Sequence, residues 1–525
     1  MVNSIVGRRT IATFLEYHAS TRPSATAVIT ETNAGIRQWL TWSELDSLVN
    51  QFGIWIERQG LTKGDSIALV LPNCLEVLLC WLAAGKTATV AVPLDPGSTA
   101  AEMQYIVEHS DARLVMADAR VIDVVRAACE RCPLVKRIIP VSLGEPFFSS
   151  SLAKEFALMD SARPSARTEP VDVAGMLYTS GTTGKPKGVM LTHAAYIYGA
   201  AVFARSTGLA PEDRHLIALP LYHAAAQCHA LTPSLVTGAS MVIVERFSAR
   251  RFLEQAVRYS ATRAALFAAP LRMLLRHYAG SVAPKTPLTL ITFAQNLAPE
   301  ELKGWEEKFG IDLMQLWGMT ETVGLPLMVP LNGPRDNMCM GLPVVGYEVK
   351  VVDEQGREVP TNVPGEIVVR AEPGWNMSAG YYKNPQATAE LIRNGWLHSG
   401  DRAMRDEHGQ FHFLGRFKEL IKRAGENISP LEVEEALTRH PAVLDAAVVG
   451  LPDPVRDERV VAFVIFREDR TATPQELTDW CRGFLSAFKV PEEFLVCNEF
   501  PRTSVGKIQR HLLREAHLAR KAIGA

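Results

Sequence analysis

Apolar runs of strand length recur along this chain, separated by segments with helical spacing, and that alternation constrains the fold more than any other feature. The runs include SIALVLP, ATVAVPLD, RLVMADA, HLIALPLYH, SMVIVE and LTLITFA, and the intervening segments include AEMQYIVEHS and ARRFLEQAVRYS. Continuous apolar strands alternating with amphipathic helices describe parallel strands joined by crossover helices, hence an α/β fold with doubly wound, mixed sheets. From about 341 to 400 the texture changes to short strands and turns, as in YEVKVVDEQGREVPTNVPGEIVVRAE, which predicts a β-rich subdomain. After FHFLGRFKELIKRAGENISP it changes again. Ser429, Pro430 and Glu432 have the spacing of a capping box with proline at the first helical position. The expected organisation is a large N-terminal domain over 1–417 and a small α+β domain over 418–525, with the boundary at Lys418.

Composition narrows the function classes. The 525 residues are 47% hydrophobic and 21% charged, as globular domains with large cores require, and the formal net charge is −2. That balance supplies no electrostatic footprint for nucleic acid or an anionic membrane. The longest apolar runs, such as LEVLLCWLAAG, fall short of the ~20 residues that span a bilayer. The N-terminal stretch lacks a signal-peptide core and AIGA is not a peroxisomal tripeptide, so a cytoplasmic location is expected. Eight scattered cysteines make no disulfide framework, and the pair Cys129 and Cys132 has no second pair to complete a zinc site.

One segment stands apart. LYTSGTTGKPKGVMLTH, Leu177 to His193, gathers five small hydroxyl residues, three glycines and two lysines. Glycine allows close approach and positive φ, so such a turn can wrap backbone N–H groups and hydroxyls around a polyphosphate. It is not a Walker loop: two residues separate Gly181 from Gly184, and Pro186 follows Lys185. Its flanks read as a strand entering the loop and a strand end leading into a helix, with Thr192 as N-cap.

The run from Tyr178 to Gly188 resembles the signature loop of the AMP-forming acyl-adenylate superfamily, which includes acyl-CoA synthetases, luciferases and peptide-synthetase adenylation domains. The resemblance implies that Thr179, Ser180, Gly181, Thr182, Thr183, Gly184, Lys185 and Lys187 contact the nucleotide phosphates. The later segment QLWGMTET resembles the second fingerprint of that superfamily. There Trp317, Gly318 and Met319 would border the adenine, Thr320 would contact the α-phosphate and Glu321 would bind Mg²⁺, a carboxylate being the expected ligand of a hard cation beside phosphates. By the same resemblance Asp401 in NGWLHSGDRA accepts hydrogen bonds from the ribose hydroxyls, and Arg416, fifteen residues later, stabilises the nucleotide with Phe413. Ser399 stands where threonine is commoner. Lys507, in PRTSVGKIQR, resembles the catalytic lysine, and Gly425 the glycine lining the pantetheine tunnel. Lys418 becomes the pivot of a mobile C-terminal domain.

The acyl end departs from the common pattern. TFAQNLAPEEL places Gln295 and Asn296 where many relatives have a glycine pair. In LPLYHAAAQCHA, His223 fits the family histidine, and small Ala224, Ala225 and Ala226 leave its wall open; Val323 would close the other side. Together these imply a compact, polar or amide-bearing acid. ERFSARRF, VRDERVVAFVIF and AFKVPEEF resemble the crotonobetaine/carnitine-CoA ligase branch in particular. The implied reaction is attack of a carboxylate on the ATP α-phosphate, giving acyl-AMP and pyrophosphate, followed by transfer to a thiol. With no serine-bearing carrier domain in the chain, CoA leads as acceptor; a carrier protein, an amine or nitrite-derived chemistry is the rival, and a silent nucleotide-binding regulator is the reading outside enzymes. A homodimer is left open.

Overall fold

The computed structural model describes residues 5–179, 185–332, 335–423, 426–453, 456–503 and 506–523, with the backbone alone at 418, 427 and 520–523. The chain divides into two compact units, Met1–Val349 with Val369–Leu397 and Lys350–Val368 with His398–Ala525.

The first unit holds two sheets built from the apolar runs. In one, six strands lie in the order Arg137–Val141, Ala112–Asp118, Ser66–Val70, Val90–Leu94, Val173–Thr179, Lys187–Thr192. They pair in parallel as far as Val173–Thr179, and the last pair is antiparallel. Ser66–Val70 and Val90–Leu94 are buried at every position, as strands covered on both faces must be. One face packs Val115, Val92 and Met176 against Met103 and Val107 of Ala100–His109 and Val125 and Ala128 of Ile122–Cys129.

The other sheet has nine strands. Its parallel part runs Asp312–Trp317, Leu290–Ala294, Arg263–Phe267, Arg214–Ile217, Ser240–Val244, Thr26–Glu31, with antiparallel strands at both edges. Met314 and Leu316 pack on Phe203 of helix His193–Thr207.

That helix starts where the sequence places it. The Thr192 hydroxyl accepts the Ala195 N–H at 3.1 Å and donates to the Gly374 carbonyl at 2.7 Å. The strand that closes the signature turn is thereby joined to its helix and to the segment after 374.

The second unit contains a long antiparallel pair, Val443–Asp453 with Asp457–Phe466, flanked by Ile421–Arg423, Glu426–Ile428 and Glu493–Val496. Val448, Val460 and Val464 meet Val433 and Leu437 of helix Pro430–Thr438 in its core. The capping box expected there is not formed. Ser429 is the N-cap residue, but its hydroxyl donates to the Leu414 carbonyl at 2.9 Å, and Glu432 pairs with Lys489. The bond to the Leu414 carbonyl fixes the Ser429 side chain in an orientation in which its oxygen accepts no local N–H. Among the described residues no helix is long and apolar enough to cross a membrane.

Thr192→Ala removes an N-cap and strands a buried carbonyl. It is expected to cost about 2 kcal/mol in urea unfolding, with Thr192→Ser close to wild type.

Candidate active site

Strand direction places the candidate residues. In an open parallel sheet, ligands bind beyond the carboxyl ends of the strands. His223 follows Arg214–Ile217, Phe267 ends Arg263–Phe267, Gln295 and Asn296 follow Leu290–Ala294, and Trp317 ends Asp312–Trp317. All four strands are parallel neighbours, so these residues share one sheet edge. The His223 ring stands edge-on to Phe267 at 5.3 Å, and its Nδ1 accepts the Ala225 N–H at 3.1 Å, which places that ring's proton on Nε2. Asn296 accepts from the Gln315 side chain at 3.1 Å, and its carbonyl receives Arg272 at 2.9 Å. Gln295 has φ +77°, a left-handed conformation that turns the chain at the strand end. Ala225 and Ala226 are buried, and the helix they open continues as a π-helical turn over Gln227–Leu231, a form common at functional sites.

The turn after Trp317 is bound to itself. Trp317 is buried, and Thr320–Thr322 form one 3₁₀ turn. The Thr322 hydroxyl accepts the Met319 N–H at 3.0 Å and donates to the Met319 carbonyl at 2.9 Å. Val323, also buried, is forced to φ +52°, a conformation costing of order 1–3 kcal/mol in a β-branched residue. A Cβ at Gly318 would lie 2.7 Å from the Gly324 carbonyl oxygen, which explains the glycine there.

Glu321 is 5% exposed, and its Oε1 accepts the Tyr381 hydroxyl at 2.8 Å. Tyr381 also bridges Val189 of the signature hairpin in antiparallel fashion, and Lys187 Nζ sits 5.0 Å from its ring centroid. On either side, Ser378 N–H donates to the Glu321 carbonyl at 2.9 Å and Met190 N–H to the Gly380 carbonyl at 2.9 Å. Residues 378–382 therefore stitch the signature hairpin to the Glu321 turn. Burial, with the Glu321 charge as a smaller cause, pushes the Tyr381 hydroxyl well above its usual range and keeps it a proton donor. Tyr381 and Gln315 were not singled out from sequence. The adjacent tyrosines of AGYYKN were the available sign for the former.

Of the signature segment, Thr179 and Lys187 pair across the hairpin and Lys185 lies over Tyr105 at 5.1 Å. Ser180, Gly181, Thr182, Thr183 and Gly184 lie outside the described residues, as does Gly425.

In the second unit Asp401 lies inside the strand Trp396–Arg405, opposite Arg416 of Phe411–Arg416. Its carboxylate meets the Arg416 guanidinium at 2.9 Å. Ser399 accepts the Asp401 N–H at 3.0 Å and donates to the Ile367 carbonyl at 2.7 Å, so serine retains the hydroxyl that this position uses. Phe413 pairs with Ala403 in the same ladder. Lys507 is exposed on a loop, and Lys418 lies in the 3₁₀ turn Phe417–Glu419.

The sequence model of the AMP-binding enzyme family matches residues 15–382, and that of the AMP-binding enzyme C-terminal domain matches residues 432–507. The chain belongs to the AMP-binding enzyme family. Among curated proteins it is 31% identical to a crotonobetaine/carnitine–CoA ligase of Salmonella paratyphi A, over 97% of this chain and 100% of that one. A protein of the same name from Proteus mirabilis is 32% identical over 97% and 99%. Among solved structures, the anthranilate CoA ligase AuaEII in complex with anthranoyl-AMP has a TM-score of 0.89 at 25% identity, covering 98% of each chain. A benzoate CoA ligase from Burkholderia xenovorans has a TM-score of 0.86 at 26% identity, covering 96% of this chain and 100% of that one. The AMP-binding segment thus ends at Tyr382, at the close of the stitch that carries Tyr381.

Gly318→Ala must push the Gly324 carbonyl aside. It is expected to lower stability by about 1–3 kcal/mol in denaturant unfolding; an unchanged midpoint would show that the turn yields freely.

Proposed function

We propose that this AMP-forming acyl-CoA ligase acts on a compact carboxylic acid bearing a polar or amide group. The reaction joins the acid to AMP with loss of pyrophosphate, and CoA then takes the acyl group. The observation that carries the choice of acid is the sheet edge where His223 stands against Phe267 beside the small Ala225, with polar Gln295 and Asn296 at the neighbouring strand end and Asn296 bonded to Gln315.

Adenylation brings two anions together while negative charge develops on phosphorus, so positioning and electrostatic stabilisation supply the rate. In this reading Trp317 stacks on adenine, Asp401 and Arg416 hold the ribose side, and Thr320 and the signature residues Thr179 to Lys187 hold phosphate oxygens. Mg²⁺ is assigned to Glu321. A phosphate-shared Mg²⁺ takes one or two carboxylates and keeps other ligands as water and phosphate. The buried Glu321, oriented by one hydroxyl, suits that demand, and among the described residues no group of three or more His, Cys, Asp or Glu offers an all-protein cage. Bound there, the ion would neutralise phosphate charge.

Lys507 supplies the cation beside the reacting carboxylate. Thioester formation needs that space for a thiol, so in this reading the C-terminal domain over 418–525 pivots at Lys418 and offers Gly425 to the pantetheine arm. The enzyme is placed in the cytoplasm.

The test is ATP–pyrophosphate exchange over a panel of acids, with product masses recorded with and without CoA. Exchange should be strongest with short polar or amide-bearing acids, and acyl-CoA should form only when CoA is added. Asn296→Leu should reorder the acids while the KM for ATP stays within about twofold. A preference for long-chain fatty acids, or an unchanged order in the variant, would overturn the assignment of the pocket.

A further inference from the structure

Lys507 sits on a loop that closes on itself. Thr503 N–H donates to the Lys507 carbonyl at 2.8 Å, Lys507 N–H to the Thr503 hydroxyl at 3.1 Å, and Gly506 N–H to the Thr503 carbonyl at 2.8 Å. Gly506 takes φ +82°, open to glycine at low cost. Arg502 adds a bond to the Gly506 carbonyl at 2.7 Å and an ion pair to Asp445. These contacts shape the loop, and the pair of Arg502 with Asp445 and the packing of Ile508 against the core beside Phe500 tie it to its unit.

A two-sided charged anchor comes three residues after Lys507. Arg510 opens the helix Arg510–Ile523, and its guanidinium is used on two sides. Nε and one terminal nitrogen grip both oxygens of Glu434 at 2.9 and 2.7 Å, while the other terminal nitrogen reaches Glu419 at 3.0 Å. Glu434 is 7% exposed and also accepts the Val448 N–H at 2.8 Å, so the fork is seated on the domain core. Glu419 is the last residue of the 3₁₀ turn Phe417–Glu419, one position beyond Lys418. A planar fork can hold two carboxylates at fixed angles; a lysine ammonium cannot reproduce that geometry.

We propose that Arg510 is a positioning residue for Lys507, binding the lysine loop through Glu419 to the turn at the pivot so that turn and loop move as one body. The inference rests on Lys507 being the adenylating lysine. The Arg510–Glu434 pair is buried and its loss would unsettle the fold. The Arg510–Glu419 pair is partly exposed, with side-chain exposures of 24% and 39%, and pairs of that kind add little to stability. The two roles can therefore be separated at Glu419.

Glu419→Gln should leave the melting temperature unchanged and lower kcat for ATP–pyrophosphate exchange about tenfold, with the KM for ATP within about twofold. CoA thioester formation from supplied acyl-AMP should stay within about twofold, because that step does not use Lys507. Glu419→Asp, which keeps the charge, should restore most of the exchange rate. Wild-type exchange in Glu419→Gln, or equal losses in both half-reactions, would overturn the proposal. Lys507→Ala in the same assay must lose exchange; if it does not, the assignment of Lys507 falls and the proposal falls with it.

Discussion

A hydroxyl-to-carboxylate hydrogen bond, from Tyr381 to Glu321 at 2.8 Å, links the two parts of the chain proposed above to carry adenylation. Glu321 belongs to the turn that follows Asp312–Trp317 in the nine-stranded sheet, and the signature hairpin belongs to the six-stranded sheet. The sheets share a packed element, since Phe203 of helix His193–Thr207 lies on Met314 and Leu316, but the Glu321 turn has still to be joined to the signature hairpin. The segment 378–382 joins them by backbone hydrogen bonds to both, and Tyr381 adds the side-chain contact that aims the carboxylate. Buried in a site of low dielectric, that bond is stronger than its equivalent in water, and the carboxylate loses correspondingly more if it is removed.

Strain accumulates on the same turn. Val323 at φ +52° and Gln295 at φ +77° are held in conformations their side chains disfavour, one after Glu321 and the other at the adjacent strand end. The Thr322 hydroxyl, bonded twice to Met319, is what keeps the turn from relaxing. Stability is given up where a rigid, preorganised edge is gained, as electrostatic catalysis requires.

Features governed by neighbouring residues were legible in the sequence. The parallel strands, the two strands flanking the signature turn and the Thr192 N-cap all follow from short-range pattern. The features that were not legible depend on distant partners. Ser429 has the local spacing of a capping box, yet its side chain is turned to the Leu414 carbonyl and caps no local N–H. The contact of Asp401 with Arg416 depends on the pairing of their two strands. Tyr381 and Glu321 lie 60 residues apart, and Arg510 and Glu434 lie 76 apart, so no window of sequence contains either pair. The acyl edge was legible only as a set of residues, because its shape depends on how three strand ends and a π-helical turn converge.

The most direct test is the rate of acyl-AMP formation in Tyr381→Phe, measured against magnesium concentration alongside thioester formation from supplied acyl-AMP. Removing the hydroxyl leaves ring and backbone bridge in place and takes away a bond to a buried charge worth roughly 1.5–3 kcal/mol. The account predicts acyl-AMP formation slower by about tenfold or more with a higher magnesium requirement, and an unaltered thioester step. Wild-type adenylation at the wild-type magnesium requirement would contradict it.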